Sequence, residues 1–418
     1  MKLFLLLLGC SMVLCAHGEG AAPLDLQQVH QRALQAAPSL RAADAAQAEQ
    51  AARQQAARAQ LGPQLTALWQ QGGGSGASSG NISQGTLQLT QPLVDLPRWR
   101  QLEAESLRLR ANHLLRLNSE QQLRARSAAL YVQLHAARSL QRVQQALQEA
   151  FAQEAQRMQV RHREGLTAAV DWRQSESFLL LAQAQARGGM SQERALRQSL
   201  VAHARPASWA HRPSRTRGAL GLPPALEADA GGTSARLLAL QEERSARVAE
   251  QRAAEGAVLP QLGLQAQSQR FERGPSRSGN DWQLQLRIPL WDSGSRRANE
   301  AAARSRVQAV AAELELLQRE LGREQATQLE RLAAARDQHA SSQQGLDGAL
   351  QTVRAMRIGQ EQGSRSTTDV LQAIQTHGQL QQLAVQAQLD AWLAWIDALT
   401  SQGRFDEQAL QQLNAALE

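Results

Sequence analysis

Hydrophobic and polar positions follow two different periods along this chain, and the period changes at matching places in each half. From 282 to 288 the period is two. Trp282, Leu284, Leu286 and Ile288 point one way, and Gln283, Gln285 and Arg287 the other. Leu262, Leu264 and Ala266 alternate in the same manner with Gly263, Gln265 and Gln267. Leu87 and Leu89 alternate with Gln88 and Thr90, whereas residues 65–70 alternate poorly. This pattern predicts strands with one apolar and one polar face, over about 61–71, 84–93, 259–271 and 281–290. The loops 72–81 and 273–280 are short and polar and end in Gly-Asn, so each strand pair should close as a hairpin.

Beyond the strands the period becomes helical. The stretches 98–164 and 296–362 contain no internal proline, and Pro97 and Gly294 stand at their starts. Val307, Val310, Leu314, Leu317 and Leu321 are spaced 3-4-3-4, and Val143, Leu147, Phe151 and Met158 mark the other stretch. That spacing is coiled-coil packing between neighbouring helices. At 1.5 Å per residue each helix would reach roughly 100 Å. Both end at a glycine, Gly165 or Gly363, after which a second helical stretch returns. A glycine stop and a short turn predict a long helical hairpin with its tip there.

The two halves are copies of one unit. Leu61-Gly62-Pro63-Gln64-Leu65 recurs as Val258-Leu259-Pro260-Gln261-Leu262, with Pro63 and Pro260 197 positions apart. Leu87-Gln88-Leu89-Thr90-Gln91-Pro92-Leu93-Val94-Asp95 recurs at the same offset as Leu284-Gln285-Leu286-Arg287-Ile288-Pro289-Leu290-Trp291-Asp292. Further on, Glu164-Gly165 with Asp171 recurs as Gln362-Gly363 with Asp369, and Met158 recurs as Met356, at an offset of 198. A register held within one residue over about a hundred positions implies a duplicated structural unit, too long in period for a solenoid.

Composition narrows the class. Aromatics make up only 3% of a 45.6 kDa chain, and Ala, Gln, Leu, Arg and Glu dominate. These residues favour long helices packed in thin layers over a thick globular core. The start reads as a secretory signal: Lys2, an apolar run from Leu3, and a small-x-small site at Ala16-His17-Gly18. Residues 1–18 would be removed. Cys10 and Cys15 both lie inside this segment, so the mature chain carries no thiol for a disulfide, metal site or nucleophile. Leu7-Leu8-Gly9-Cys10 faintly resembles a lipoprotein box, which keeps lipidation of Cys10 as an alternative. The net charge is +7 with a pI near 10.7, almost entirely from arginine. Arginine alternates with glutamate along the helices, as at Arg319-Glu320-Leu321-Gly322-Arg323-Glu324, which marks solvated helix faces and not a nucleic-acid stripe. No nucleic-acid partner is expected.

A sheet with one face on a core would also alternate. A membrane strand needs about 9–11 residues with aromatics near the rims. These segments fit in length, and Trp69, Trp282 and Trp291 sit near segment ends. On that reading Trp282, Leu284, Leu286 and Ile288 face lipid, and Gln283, Gln285 and Arg287 face a lumen. Four strands cannot close a barrel, and an open edge cannot face lipid, so several chains must share one.

With its LP-x-L strand entries, paired Pro-Leu-x-Asp boundaries and two tip signatures, the chain resembles the TolC-type outer-membrane efflux proteins over most of residues 25–402. The resemblance implies a mainly α fold with a small membrane β-barrel contribution. It implies a homotrimer that combines a twelve-stranded barrel in outer-membrane lipid with a helical tunnel across the periplasm. A periplasmic adaptor protein would dock at the tips, and an inner-membrane pump would supply the cargo. Arg163, Glu164, Gly165, Leu166 and Thr167 match the family's adaptor-docking turn, and Gly363, Ser364, Arg365, Ser366 and Thr367 take the equivalent place. Asp369 matches the first of the family's gate aspartates, with Asp171 its counterpart in the first copy. The second gate position is Gln372, which departs from the family pattern. Both aspartates should also cap the helices they begin.

The expected organisation is repeat 1 over 19–218, a linker and repeat 2 over 219–402, and a C-terminal tail over 403–418. In repeat 1 the family pattern would carry the return helix on past Ala186. Residues 187–218 instead carry Gly188-Gly189, Pro206, Trp209 and Pro213 with Arg205, Arg212, Arg215 and Arg217, and read as an irregular segment, either a disordered or divergent insert or a local reading-frame error. No catalytic pattern emerges. There is no HExxH or GxSxG, and Gly72–Gly74 does not lie between a strand and a helix. Neither a cofactor nor a metal is expected, since transport through a duct needs none. The alternative is a periplasmic coiled-coil adaptor or scaffold that forms no pore. It would carry one helical hairpin beside compact β-domains, not a duplicated strand pair.

Overall fold

The computed structural model describes residues 26–74, 80–204, 221–226, 233–272 and 277–417. The secretory segment with Cys10 and Cys15, and Arg205 to Gly218 of the expected insert, lie outside them. Two strand hairpins and two helical hairpins account for most of the chain. After α1 (Leu26–Ala36) and α2 (Pro38–Ala59) come β1 (Gln64–Gly74), β2 (Gly80–Val94), α3 (Leu96–Arg163) and α4 (Ala169–Ala204). The second copy repeats this as α5 (Ala235–Glu255), β3 (Gln261–Glu272), β4 (Arg277–Arg287), α6 (Ser295–Glu361) and α7 (Thr367–Ser401). A final helix, α8 (Glu407–Leu417), closes the chain.

The helices form a layer one helix thick with four lanes. α3 runs the length of the second lane and α6 that of the fourth. α2 and α4 share the first, and α5 and α7 the third, so α3 touches α2, α4, α5 and α7, while α6 touches α5 and α7. Leu317 is buried, and Val307, Val310, Leu314 and Leu321 are half-buried. The 3-4 spacing read from the sequence is therefore the seam of α6. Because lanes one and four are edges, Leu180 and Leu181 on α4 and Leu316 and Ile358 on α6 remain exposed.

Three features differ from the sequence expectation. First, the return helix does not stop at Ala186. α4 continues through Gly188-Gly189 to Ala204. Gly189 is buried beside the end of the Gln144 side chain on α3. Leu200 and Ala204 then bury against Val29 and Leu134. That burial offsets a glycine cost of about 1 kcal/mol per residue. Second, the C-terminal tail is helix α8. Gly403, at φ 70°, ends α7 in a turn where Arg404 N–H reaches Leu399 O at 2.8 Å and Gly403 N–H reaches Thr400 O at 3.0 Å. Leu410, Leu413 and Leu417 then pack into a core with Trp392, Trp395 and Phe405, in which the aromatic rings meet edge to face. Third, the strands are longer at their hairpin ends. Gly80-Asn81 and Gly279-Asn280 belong to β2 and β4, while Ile288 lies just past β4.

Candidate functional site

The four strands form one antiparallel sheet in the order β1-β2-β3-β4, so the two copies join through β2 and β3 and both outer edges are open. Register decides which residues share a face, because directly opposed residues point the same way. One row runs Leu65, Leu89, Ala266, Trp282, and beside it Leu264 opposes Leu284 and Leu262 opposes Leu286. Trp69 joins this face and lies across Gly85, where a Cβ would come within 3.2 Å of its ring. The poor alternation of 65–70 reduces to Leu68 alone, since Leu65, Ala67 and Trp69 keep the period.

The opposite face is polar. Gln64, Thr90, Gln265 and Gln283 form one row, and Thr66, Gln88, Gln267 and Asp281 the next. Gln283 donates to Gln265 Oε1 at 3.1 Å. Gln285 and Arg287 continue this face toward the helices. No helix packs against either face of the sheet among the described residues. Trp282 is therefore 78% exposed and Leu286 59% exposed within a single chain. An apolar face this large and uncovered marks a surface that meets another apolar phase. None of the described helices is long and apolar enough to cross a membrane.

At the far end of the helices the two tips are built alike. Gly165 and Gly363 take φ of 74° and 75°. Leu166 N–H reaches back to Arg161 O at 2.8 Å and Gly165 N–H to His162 O at 3.0 Å. In the second copy Ser364 N–H reaches Gly359 O at 2.8 Å and Gly363 N–H reaches Gln360 O at 3.1 Å. This is the Schellman termination, in which a left-handed residue satisfies the last carbonyls of the helix.

Past the glycine, the two turns diverge. Ser366 and Asp369 form a reciprocal capping box. Asp369 N–H donates to Ser366 Oγ at 3.2 Å, and Ser366 N–H to Asp369 Oδ2 at 3.0 Å. These bonds, with Arg365 nearby, hold the Asp369 carboxyl below the usual carboxylate range. Asp171 does otherwise: its carboxylate accepts the Thr167 hydroxyl at 2.9 Å. His162 stacks on Trp172 at 5.8 Å and contacts Thr167 O at 3.1 Å, bracing the first turn. Leu166 and Val170 are 63% and 73% exposed, whereas Val370 and Leu371 at the second tip are buried.

The tips are joined to each other. Thr368 donates to Gln174 Oε1 at 3.0 Å, and the Thr367 hydroxyl lies 3.5 Å from Met158 Sδ. Gln372, one turn beyond Asp369, is exposed. The sequence marked Met158 by its recurrence as Met356 and by its place in the apolar spacing of its helix, and not as a contact of the second tip. Gln174, His162 and Trp172 carried no signal, because contacts between turns depend on how α7 docks against the first hairpin.

Known proteins match this architecture, although no curated protein matches the sequence. Among solved structures, CusC, described in relation to transmembrane channel formation, superposes with a TM-score of 0.81 at 16% identity, over 93% of this chain and 95% of that one. The outer membrane protein VceC of Vibrio cholerae gives 0.79 at 17% identity, over 90% and 96%. The MtrE outer membrane channel of Neisseria gonorrhoeae gives 0.76 at 17%, over 91% and 89%. These likenesses establish the fold. The family model described as "Outer membrane efflux protein" matches twice, at residues 29–202 and 229–401, once per copy of the repeat. A non-channel scaffold is therefore not favoured, and the chain belongs to the outer membrane efflux protein family.

Proposed function

We propose that three copies of this chain assemble into one outer-membrane channel-tunnel, with the apolar sheet face toward lipid and the polar face toward the lumen. The observation that carries this is the four-stranded sheet with two open edges and one uncovered apolar face. Backbone groups on an open edge cannot remain unpaired in hydrocarbon. Because the four strands alternate in direction, β4 of one copy meets β1 of the next in antiparallel sense. Two copies would give eight strands, whose interior is filled by side chains. Three give twelve, and the smallest barrel of this unit with an open pore.

The same closure seals the helical lanes, with α6 of one copy against α2 and α4 of the next, covering Leu316 and Leu180. The tips then ring the periplasmic entrance. A periplasmic adaptor protein docks there on Arg163–Thr167 and Gly363–Thr367, and an inner-membrane pump delivers the cargo. Asp369 rings the entrance while it caps α7, with Asp171 in the matching place of the first hairpin. The neutral Gln372 leaves that entrance a single acidic ring.

The test uses protein purified from outer membranes in mild detergent. A trimeric mass and single-channel conductance in a planar bilayer are expected. A monomer that stays soluble without detergent and conducts no current would overturn the proposal.

A further inference from the structure

On the polar sheet face glutamine predominates, and in the strand stretches whose side chains are described charge is confined to two levels. Gln64, Gln70, Gln84, Gln88, Gln265, Gln267, Gln269, Gln283 and Gln285 all share this face. In the strand stretches whose side chains are described, its only ionised groups are Asp281 and Arg287, both on β4. They are six residues apart along one strand, about 20 Å. That exceeds the Debye length of about 8 Å at physiological salt, so each acts on its surroundings independently.

Both side chains are exposed, and neither has an ion-pair partner among the described residues. The nearby arginines at the junction with the helices differ. Arg98 is paired with Asp95 at 3.0 Å, and Arg296 with Asp292 at 2.8 Å. Arg287 opposes Gln261 on β3. On its open side stands the edge that β1 of a neighbouring copy would complete. The polar face of β1 offers Gln64, Thr66, Leu68 and Gln70, with no carboxylate to neutralise it. In the first copy the equivalent position is Thr90, 197 positions earlier, so the charge is not repeated.

We propose that Arg287 forms a positive collar where the helical tunnel opens into the barrel, drawing anionic solutes into the outer-membrane pore, with Asp281 an opposing collar farther out. This rests on the polar face lining the lumen of a three-chain barrel. Three guanidinium groups would then stand about 10 Å from the axis of a twelve-stranded barrel. Screening over one Debye length reduces their attraction to roughly a twofold enrichment of anions at physiological salt. The preference grows as the salt is diluted.

The experiment measures the reversal potential of the full-length channel in a planar bilayer under a potassium chloride gradient. Arg287→Gln should shift the chloride-to-potassium permeability ratio about fourfold toward potassium, since the same potential enriches the anion and depletes the cation about twofold each. Asp281→Asn should shift it toward chloride. Both residues are exposed in the fold, and the trimeric mass and conductance report that each variant assembles. A conducting channel whose reversal potential ignores both substitutions overturns this inference alone. A protein that forms no channel overturns the channel reading, and this inference with it.

Discussion

Acidification should loosen helix α1 from the tunnel wall. His30 on α1 and His135 on α3 flank the cluster of Val29, Leu134, Leu200 and Ala204 that holds α1 across the first helical hairpin. The rings are 6% and 3% exposed, and the Nδ1 atom of each is buried without a protein hydrogen-bond partner. Burial, reinforced by Arg124 and His203, lowers the pKa of His30 to about 4. Burial, with Arg142 and Arg138, does the same for His135. In the unfolded chain both would titrate near 6.5. Between these values the unfolded state binds more protons than the folded one. Stability is therefore complete above pH 6.5 and declines as pH falls toward 4. At face value such a shift is worth about 3 kcal/mol per ring. Relaxation and water penetration around the charged ring reduce this to about 1–2 kcal/mol each. The assay is hydrogen exchange of the α1 amides in the detergent-solubilised protein at about pH 7 and about pH 4.5, corrected for intrinsic rates. α1 should lose protection in the wild type and keep it in the His30→Leu, His135→Leu double variant. Equal protection at both pH values, or equal loss in the double variant, would refute the linkage.

Four further substitutions probe other parts of the frame. Gly165→Val and Gly363→Val place a β-branched residue at φ near 75° with no atom within 4 Å of the new Cβ; backbone strain alone should cost about 1–2 kcal/mol in thermal unfolding. At Gly378 a Cβ would meet Leu147 Cδ1 at 2.8 Å, so Gly378→Val should destabilise by about 1–3 kcal/mol through overpacking of α7 on α3, again read by melting. Phe405→Ala removes a fully buried ring from the Trp392–Trp395 core and should cost about 3–5 kcal/mol, seen as early proteolysis at α8.

Period and punctuation made much of this fold legible. The 3-4 spacing of α6 and the alternation of β3 and β4 are direct consequences of which side each element buries. The glycines at 165 and 363 stand where both long helices must stop within one residue, in a left-handed conformation that costs glycine nothing. What the pattern could not reveal depended on partners far away in the chain. Gly188-Gly189 looks like a helix end because glycine weakens helices. Only the burial of Leu200 and Ala204 against Val29 and Leu134, from other elements, explains why the helix runs on through the pair. The C-terminal segment reads as a tail until Phe405 and Leu410 find Trp395 and Trp392. Leu68 spoiled the alternation of β1, and only the pairing of Trp69 with Gly85 restores the register.

The duplication also shows where equivalence ends. Both tips share one turn, but Leu166 and Val170 of the first are exposed apolar residues, where the second copy, 198 positions on, carries Ser364 and Thr368. The same divergence occurs at the other end, where Arg287 replaces Thr90. The proposed ring of three chains would thus carry six turns of one backbone shape but two surface chemistries, and its barrel would repeat Arg287 and Asp281 three times each. Copying the unit supplied the geometry that closes the tube. Divergence between the copies then assigned chemistry to alternate positions around it, because a residue changed in one copy leaves the other's packing intact.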